Sequence, residues 1–385
     1  MTTNLLDDCM PAWLPDDLIS IYERVRSGER LVYRDILALL STPHLAAVGW
    51  IANHMRERLN GDRAYYIRNQ HINYTNICNK ACRFCYFAKN PKDGGPTPYL
   101  MSLDEVRSAL NRHADVPISE VHMVGGINPK LPYQYYLDLL RTVKAARPTV
   151  HIKAFTAVEL VQIQQVSGKP MDEALSELKA AGLDSVPGGG AEVLSERVHG
   201  LLHPRKLSPA EWEGVARDIA AAGLPQYATM LYGHIETMEE RAEHLIRLRD
   251  LQDETRNFLA LTPLAFHPEG TDLEHLPAPT GVDDLRMLAV SRLALDNFPH
   301  IKSFWVMNTI QVSQVALWYG ADDIDGTVHE YEITYPEGAM GKREQVLTRS
   351  QLTRLIEEAG RVPIERDSFY RPVAEIPGAE GVLQA

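Results

Sequence analysis

Apolar residues recur at helical spacing through residues 14–60, and three amphipathic helices are predicted there. LPDDLISIYERVRSGERL opens with Asp16 and Asp17, which suit the positive end of a helix dipole. RDILALLSTP and PHLAAVGWIANHMRERLNGD follow, the last stopping at Asn60-Gly61. From Asp62 the period changes, and runs of strand character alternate with amphipathic helices. RAYYIRNQHINYTN, SEVHMVGG, TVHIKAFT, DSVPGG, QYATMLYGH, NFLALTPLAF and IKSFWVM read as seven strands, with an eighth near 322–328. SLDEVRSALNRHA, PYQYYLDLLRTVKAAR, MDEALSELKAAG, SPAEWEGVARDIAAAG, TMEERAEHLIRLRDLQDET and VDDLRMLAVSRLALDNF are the helices between them. Such alternation means parallel strands with crossover helices, and the expected fold is a (βα)8-type TIM barrel of the α/β class. The expected parts are an N-terminal helical cap (1–61), the barrel (62–330) and a C-terminal extension packed on it (331–385). That extension carries one more helix, in GKREQVLTRSQLTRLIEEAG, and is expected to end in an irregular tail from ERDSFYRP onward.

Barrels of this kind carry their chemistry at the C-terminal ends of the strands. The unusual polar and glycine residues fall there: Gly125-Gly126, Lys153, the glycines of 188–190, Gly233-His234 and His267. Net charge changes the picture by exclusion. With 51 acidic against 39 basic residues, the chain lacks the basic face that a general nucleic-acid binder needs. Its apolar runs fall short of the roughly 20 residues of a membrane helix. The acidic start, MTTNLLDDCMPAWLPDD, does not read as a secretory leader, so a cytoplasmic location is expected.

The candidate chemistry lies in HINYTNICNKACRFCYFAK, where Cys78, Cys82 and Cys85 stand as C-x3-C-x2-C and leave only Cys9 elsewhere. Thiolates bunched this way in a large acidic chain read as metal ligands. Structural zinc sites close with four protein ligands, and a cubane iron–sulfur cluster takes four thiolates. Three thiolates leave one iron open. The alternative is a zinc site completed by Cys9 or by a histidine such as His71.

With Phe84 before its last cysteine, the motif resembles the signature of radical S-adenosylmethionine (SAM) enzymes. The resemblance implies a [4Fe-4S] cluster on Cys78, Cys82 and Cys85, with SAM on the fourth iron. It also implies SAM contacts from Phe84, Gly125, Gly126, Glu159 and Glu192. Glu192 reads equally well as a helix cap. Lys153, Thr156, His234 and Arg241 are the expected substrate ligands. A lysine inside a barrel needs a partner, so Lys153 reads either as a carboxylate ligand or as half of an internal ion pair. Arg241 offers a forked contact to a carboxylate, or braces its own helix. Lys206, in HPRKLSPAEW, stays unassigned.

Beyond the cysteines, HIKAFTAVEL, LDSVPGGGAEVL, PLAFHPEGT, VALWYGADDIDGTV and EEAGRVPIERD resemble the aminofutalosine synthase family of the menaquinone route. That resemblance implies that SAM is a co-substrate. Its 5′-deoxyadenosyl group would be added to 3-[(1-carboxyvinyl)oxy]benzoate, with aryl migration and loss of CO2 or bicarbonate. The products would be 6-amino-6-deoxyfutalosine and methionine, with flavodoxin or ferredoxin as electron donor. The alternative is a hydrogen-abstracting relative, cyclic dehypoxanthine futalosine synthase or a deazaflavin synthase subunit. Two features depart from the family pattern: Tyr86 stands where a small residue is expected, and HEYEITYPEGAMGK (329–342) is divergent.

Overall fold

Short polar side chains start most of the helices. The hydroxyls of Ser102, Ser208, Thr237, Thr280 and Thr348 each accept an N–H of the first turn, which satisfies a donor that would otherwise have no partner. A computed structural model describes residues 10–88, 97–331, 333 and 346–373. Its elements begin with the three helices of the N-terminal segment: α1 (Asp16–Ser27), α2 (Tyr33–Ser41) and α3 (Leu45–Asn60). Next come β1 (Arg63–Ile67), β2 (Asn69–Ile72), α4 (Leu103–Arg112), β3 (Glu120–Met123), α5 (Tyr133–Ala146), β4 (His151–Ala154), α6 (Ala157–Ser167), α7 (Met171–Ala181), α8 (Glu196–Leu202) and α9 (Pro209–Ala221). The second half holds β5 (Gln226–Tyr232), α10 (Met238–Thr255), β6 (Phe258–Ala265), α11 (Gly281–Ala294), β7 (His300–Ile301), α12 (Trp305–Asn308), α13 (Ile310–Ala316), β8 (Asp323–Gly326), α14 (Arg349–Glu358) and β9 (Val362–Glu365).

All named strand pairs are parallel, in three sheets ordered β8-β1-β9, β2-β3-β4 and β5-β6-β7. Single parallel bridges connect one sheet to the next: Lys153 with Ser185, Val186 with Gln226, Lys302 with Asp323, and Gln70 with His329. Helix α2 packs on α10 and α11, α3 on α11 and α1 on α3, and Arg30 ties this cap to Asp253 and Asp296.

The chain departs from its sequence pattern in four places. The first predicted strand breaks at Arg68, whose buried guanidinium meets Glu365 at 2.7 Å. DSVPGG forms only the bridges at Ser185 and Val186, because Pro187 has no N–H to continue the ladder. IKSFWVM keeps only Ile301 in β7, with a single bridge at Lys302, and then coils into α12, where the Trp305 indole N–H donates to the Gly326 carbonyl at 2.9 Å. The stretch before the expected irregular tail forms a strand, and the tail's first residues, from Glu365 to Val373, are ordered as well. β9 adds to the free edge of β1, and Arg366 beyond it meets Asp323 at 2.6 Å with both side chains fully buried. The helices α8 and α13 have no counterpart in the sequence reading, and the departure noted at 329–342 lies mostly outside the described residues.

Candidate active site

Beyond β2 the chain crosses the C-terminal ends of the strands as the cysteine loop. Three backbone bonds fasten it: Asn79 N–H to the Ile127 carbonyl (3.0 Å), Arg83 N–H to the Leu202 carbonyl (3.0 Å), and Asp272 N–H to the Arg83 carbonyl (3.0 Å). Cys85 N–H donates to the Cys82 carbonyl at 3.1 Å, which coils the loop so that its thiols share one side. Cys78, Cys82 and Cys85 are unpaired thiols lining one cavity of about 310 Å³. Gly270 answers the departure at Tyr86. It has φ +70°, and a Cβ there would stand 2.7 Å from the Tyr86 ring, so the glycine makes room for the larger side chain.

Opposite the thiols stands the turn after β3. Glu159 organises it by accepting the Gly125 N–H (2.9 Å), the Tyr74 hydroxyl (2.7 Å), the Thr156 N–H (2.8 Å) and the Thr156 hydroxyl (2.7 Å). These bonds use its carboxylate within the protein, and Glu159 is absent from the cavity wall, whereas Gly125, Gly126 and Thr156 are on it. A Cβ on Gly126 would meet the Ile77 carbonyl oxygen at 2.4 Å. Glu192, buried and at φ +50°, is on the wall with Lys206, which donates to it at 2.6 Å and lies 5.2 Å over the Phe84 ring. Burial pushes the Cys82 thiol up to about 12 and raises Cys85 as well. Buried thiols of this kind ionise when a metal supplies positive charge.

The deep end is built from alternate residues of the strands. Register sets His71 beside His122 and His122 beside Lys153, all pointing inward. Lys153 pairs with Glu120 at 2.6 Å and Lys302 with Asp325 at 3.2 Å, and both ammonium groups lie near the Tyr227 ring centre, at 4.6 and 5.7 Å. Ser368, from the segment after β9, donates to Glu120 at 2.8 Å, and its carbonyl accepts the Tyr227 hydroxyl at 2.5 Å. The C-terminal segment therefore closes the N-terminal end of the strands. Burial lowers His71 to about 4 and His122 well below its usual range, so both imidazoles are neutral.

Two expected substrate ligands stand elsewhere. His234 and Arg241 are not on the cavity wall. Both converge on Glu236, at 2.9 and 2.8 Å, and Arg241 also holds Asp283 at 2.6 Å. Lys153 lines the cavity and is half of an internal ion pair with Glu120, the second of its two sequence readings. His267 is on the wall, 3.1 Å from the Met307 carbonyl. Sequence reasoning passed over His122, Lys302 and Asp325. One signal was available: HINY, VHMV and HIKA each carry an imidazole or ammonium at the same inward register position.

Among the described residues, no three His, Cys, Asp or Glu side chains gather tightly enough for a single metal ion. A multi-iron cluster asks for something else, soft thiolates spread so that each takes a different iron. The loop fits that demand with three cysteines on one face and a glycine turn opposite. Cys9, one candidate fourth ligand for zinc, lies outside the described residues.

The radical SAM superfamily profile matches residues 72–248, and the chain is a radical SAM enzyme. The crystal structure of methylornithine synthase shares the fold, at 17% identity and a TM-score of 0.72 over 89% of this chain and 97% of that one. The profile of the CofH/MqnC C-terminal region matches residues 255–377. Two relatives named aminodeoxyfutalosine synthase align along nearly the whole chain. That of Thermus thermophilus is 43% identical over 92% of this chain and 96% of its own, and that of Streptomyces coelicolor 39% identical over 93% and 94%. The chain belongs to the aminodeoxyfutalosine synthase family of radical SAM enzymes.

Proposed function

We propose that the cavity performs the aminodeoxyfutalosine synthase reaction of the menaquinone route. In it the 5′-deoxyadenosyl group of SAM is joined to 3-[(1-carboxyvinyl)oxy]benzoate, with aryl migration and loss of CO2 or bicarbonate. The products are 6-amino-6-deoxyfutalosine and methionine. The observation that carries this reading is one cavity with three thiols and a glycine turn at its mouth and two lysines at its deep end. Cys78, Cys82 and Cys85 would hold the [4Fe-4S] cluster, which supplies the electron that cleaves SAM when both are bound.

The rest is work for the chain. Gly125 and Gly126 bring bare backbone close to the SAM amino and carboxylate groups. Glu159 positions that turn, and Glu192 with Lys206 faces the adenosyl side next to Phe84. Val124, Ile127, Val158, Leu264 and Phe266 line the cavity and keep water from the reacting carbons. Thr156 and Lys153 face the substrate, whereas His234 and Arg241 act on it only through the turn that they brace.

The four single bridges between sheets support closure of the strands into a (βα)8-type barrel over 62–330, with the helical cap of 1–61 on one side. Residues 331–385 form the extension, and their bonds to Glu120 and Asp323 support packing on the barrel. No described helix is long and apolar enough to cross a membrane. The reading puts the enzyme in the cytoplasm with flavodoxin or ferredoxin as reductant. The test is an anaerobic incubation of the reconstituted enzyme with SAM, a strong reductant and the benzoate, followed by mass spectrometry. A product carrying both adenine and benzoate is expected. Free 5′-deoxyadenosine beside untouched benzoate would instead point to a hydrogen-abstracting relative.

A further inference from the structure

The floor of the cavity holds more hydrogen-bonding capacity than the protein itself uses. His71 is 3% exposed, and neither ring nitrogen has a partner. His122 stands 4.7 Å from it, ring to ring, and its Nε2 is shut off from solvent and also unpartnered. A buried imidazole with no partner forfeits the hydrogen bonds it had in water, which is costly unless something supplies them. Both rings line the cavity. Beside them stand two ammonium groups, each with three protons. Lys153 meets Glu120 and Lys302 meets Asp325, so protons remain for an incoming acceptor. The Thr229 hydroxyl, also on the wall, has no partner either.

The geometry points to a carboxylate subsite at this floor, formed by His71, His122, Lys302 and Lys153, that takes the ring carboxylate of the substrate. The assignment rests on the reaction proposed above and adds which end of the molecule goes where. Chemistry orients it. The vinyl carbon must meet the adenosyl group at the thiol mouth, and the vinyl carboxylate sits on the carbon that bears the ether oxygen, so it stays near the mouth. The ring carboxylate is the far end. His122 lies in β3 and Gly125 in the turn directly after it, so floor and glycine turn are successive levels of one chain segment, and the substrate spans them with its ring carboxylate downward. The floor keeps its own charges paired: Glu120 against Lys153, Asp325 against Lys302, Asp323 against Arg366. The arriving anion therefore finds neutral N–H donors and the spare protons of two lysines, and does not have to break a pair.

The subsite predicts discrimination between 3-[(1-carboxyvinyl)oxy]benzoate and (1-carboxyvinyl)oxybenzene, which lacks the ring carboxylate. Anaerobic kinetics on the full-length reconstituted enzyme would use both compounds with wild type, His71→Phe, His122→Phe and Lys302→Met. Each variant is expected to raise KM for the benzoate about 10- to 100-fold, the range of a hydrogen bond to a charged group. KM for SAM should not move, and the wild-type preference for the benzoate over the compound without the ring carboxylate should narrow by the same factor. His122→Asn, which returns a donor, should recover part of the loss, and iron content with melting temperature would show that the variants fold. Benzoate KM values at the wild-type level in well-folded variants would overturn the subsite and leave the reaction standing. Failure of the wild-type enzyme to turn over the benzoate would sink the reaction and the subsite together.

Discussion

The two ends of the cavity are built on opposite principles. At the mouth stand three thiols outside any disulfide, with Cys82 and Cys85 raised by burial, and a glycine turn that carries no side chain at Gly125 and Gly126. At the floor almost every charge has a counter-charge, and the C-terminal segment is sewn in beneath. The mouth is finished by what binds there and the floor by folding. It follows that changes at the mouth should remove function with little effect on stability, whereas breaking a charge pair beneath the floor should cost stability first.

Cys82→Ala is the sharpest test of the first half. Removing one of three thiolates should abolish cluster reconstitution and all adenosyl transfer, read as iron per chain and as product by mass spectrometry. The apo protein should melt within a degree or two of wild-type apo protein, since a small thiol at the mouth carries little packing. A large drop in stability would erase the contrast.

Arg366→Met is the counterpart. It leaves Asp323 buried and uncompensated, and breaking such a pair costs about 3–5 kcal/mol. Chemical denaturation should show that loss, while iron incorporation into the folded fraction stays at wild-type level. Nothing in the sequence announced this pair. VPIE is a short, proline-bearing stretch between the last helix and the expected tail, and it becomes a strand by pairing with the free edge of β1. The mouth, by contrast, was plain, because three cysteines in eight residues are informative without any fold. Cap residues such as Ser208 and Glu211 were equally legible, since a capping box is local in sequence. His122 and Lys302 were not. Each is a single polar residue in a strand, and its meaning appears only when register sets it beside His71 or across from Asp325.

Glu236 tests whether His234 and Arg241 belong to the scaffold or to the substrate. Burial opposes ionisation of Glu236, but hydrogen bonds and charge from His234 and Arg241, with the Gly233 N–H, hold it at about 2. A carboxyl held below its unfolded value contributes stability that is present above about pH 4.5 and lost as pH falls toward 2. A shift of this size corresponds to about 3 kcal/mol. Glu236→Gln should therefore be less stable at pH 7 and show a flatter decline between pH 5 and 2. KM for the benzoate should hold near wild type. A KM rise with unchanged acid stability would return Arg241 to the list of substrate ligands.

Ser102→Ala should produce the smallest effect and calibrates the others. Its hydroxyl accepts the Glu105 N–H at 3.2 Å, and the Glu105 carboxylate accepts the Ser102 N–H at 2.7 Å, a reciprocal cap on the outer helix α4. Losing a cap of this kind costs about 1 kcal/mol. Helix α4 begins directly after the segment 97–101, which bonds to Tyr74, Thr75 and Asn76 just before the cysteine loop, so fraying at its start reaches the loop through those bonds. If mouth and floor are energetically separate, the variant should lose that kilocalorie in denaturation, with KM for SAM and for the benzoate both unchanged. A rise in SAM KM alone would mean that the mouth draws its shape from the outer helices, and that its independence of the scaffold stops at the loop itself.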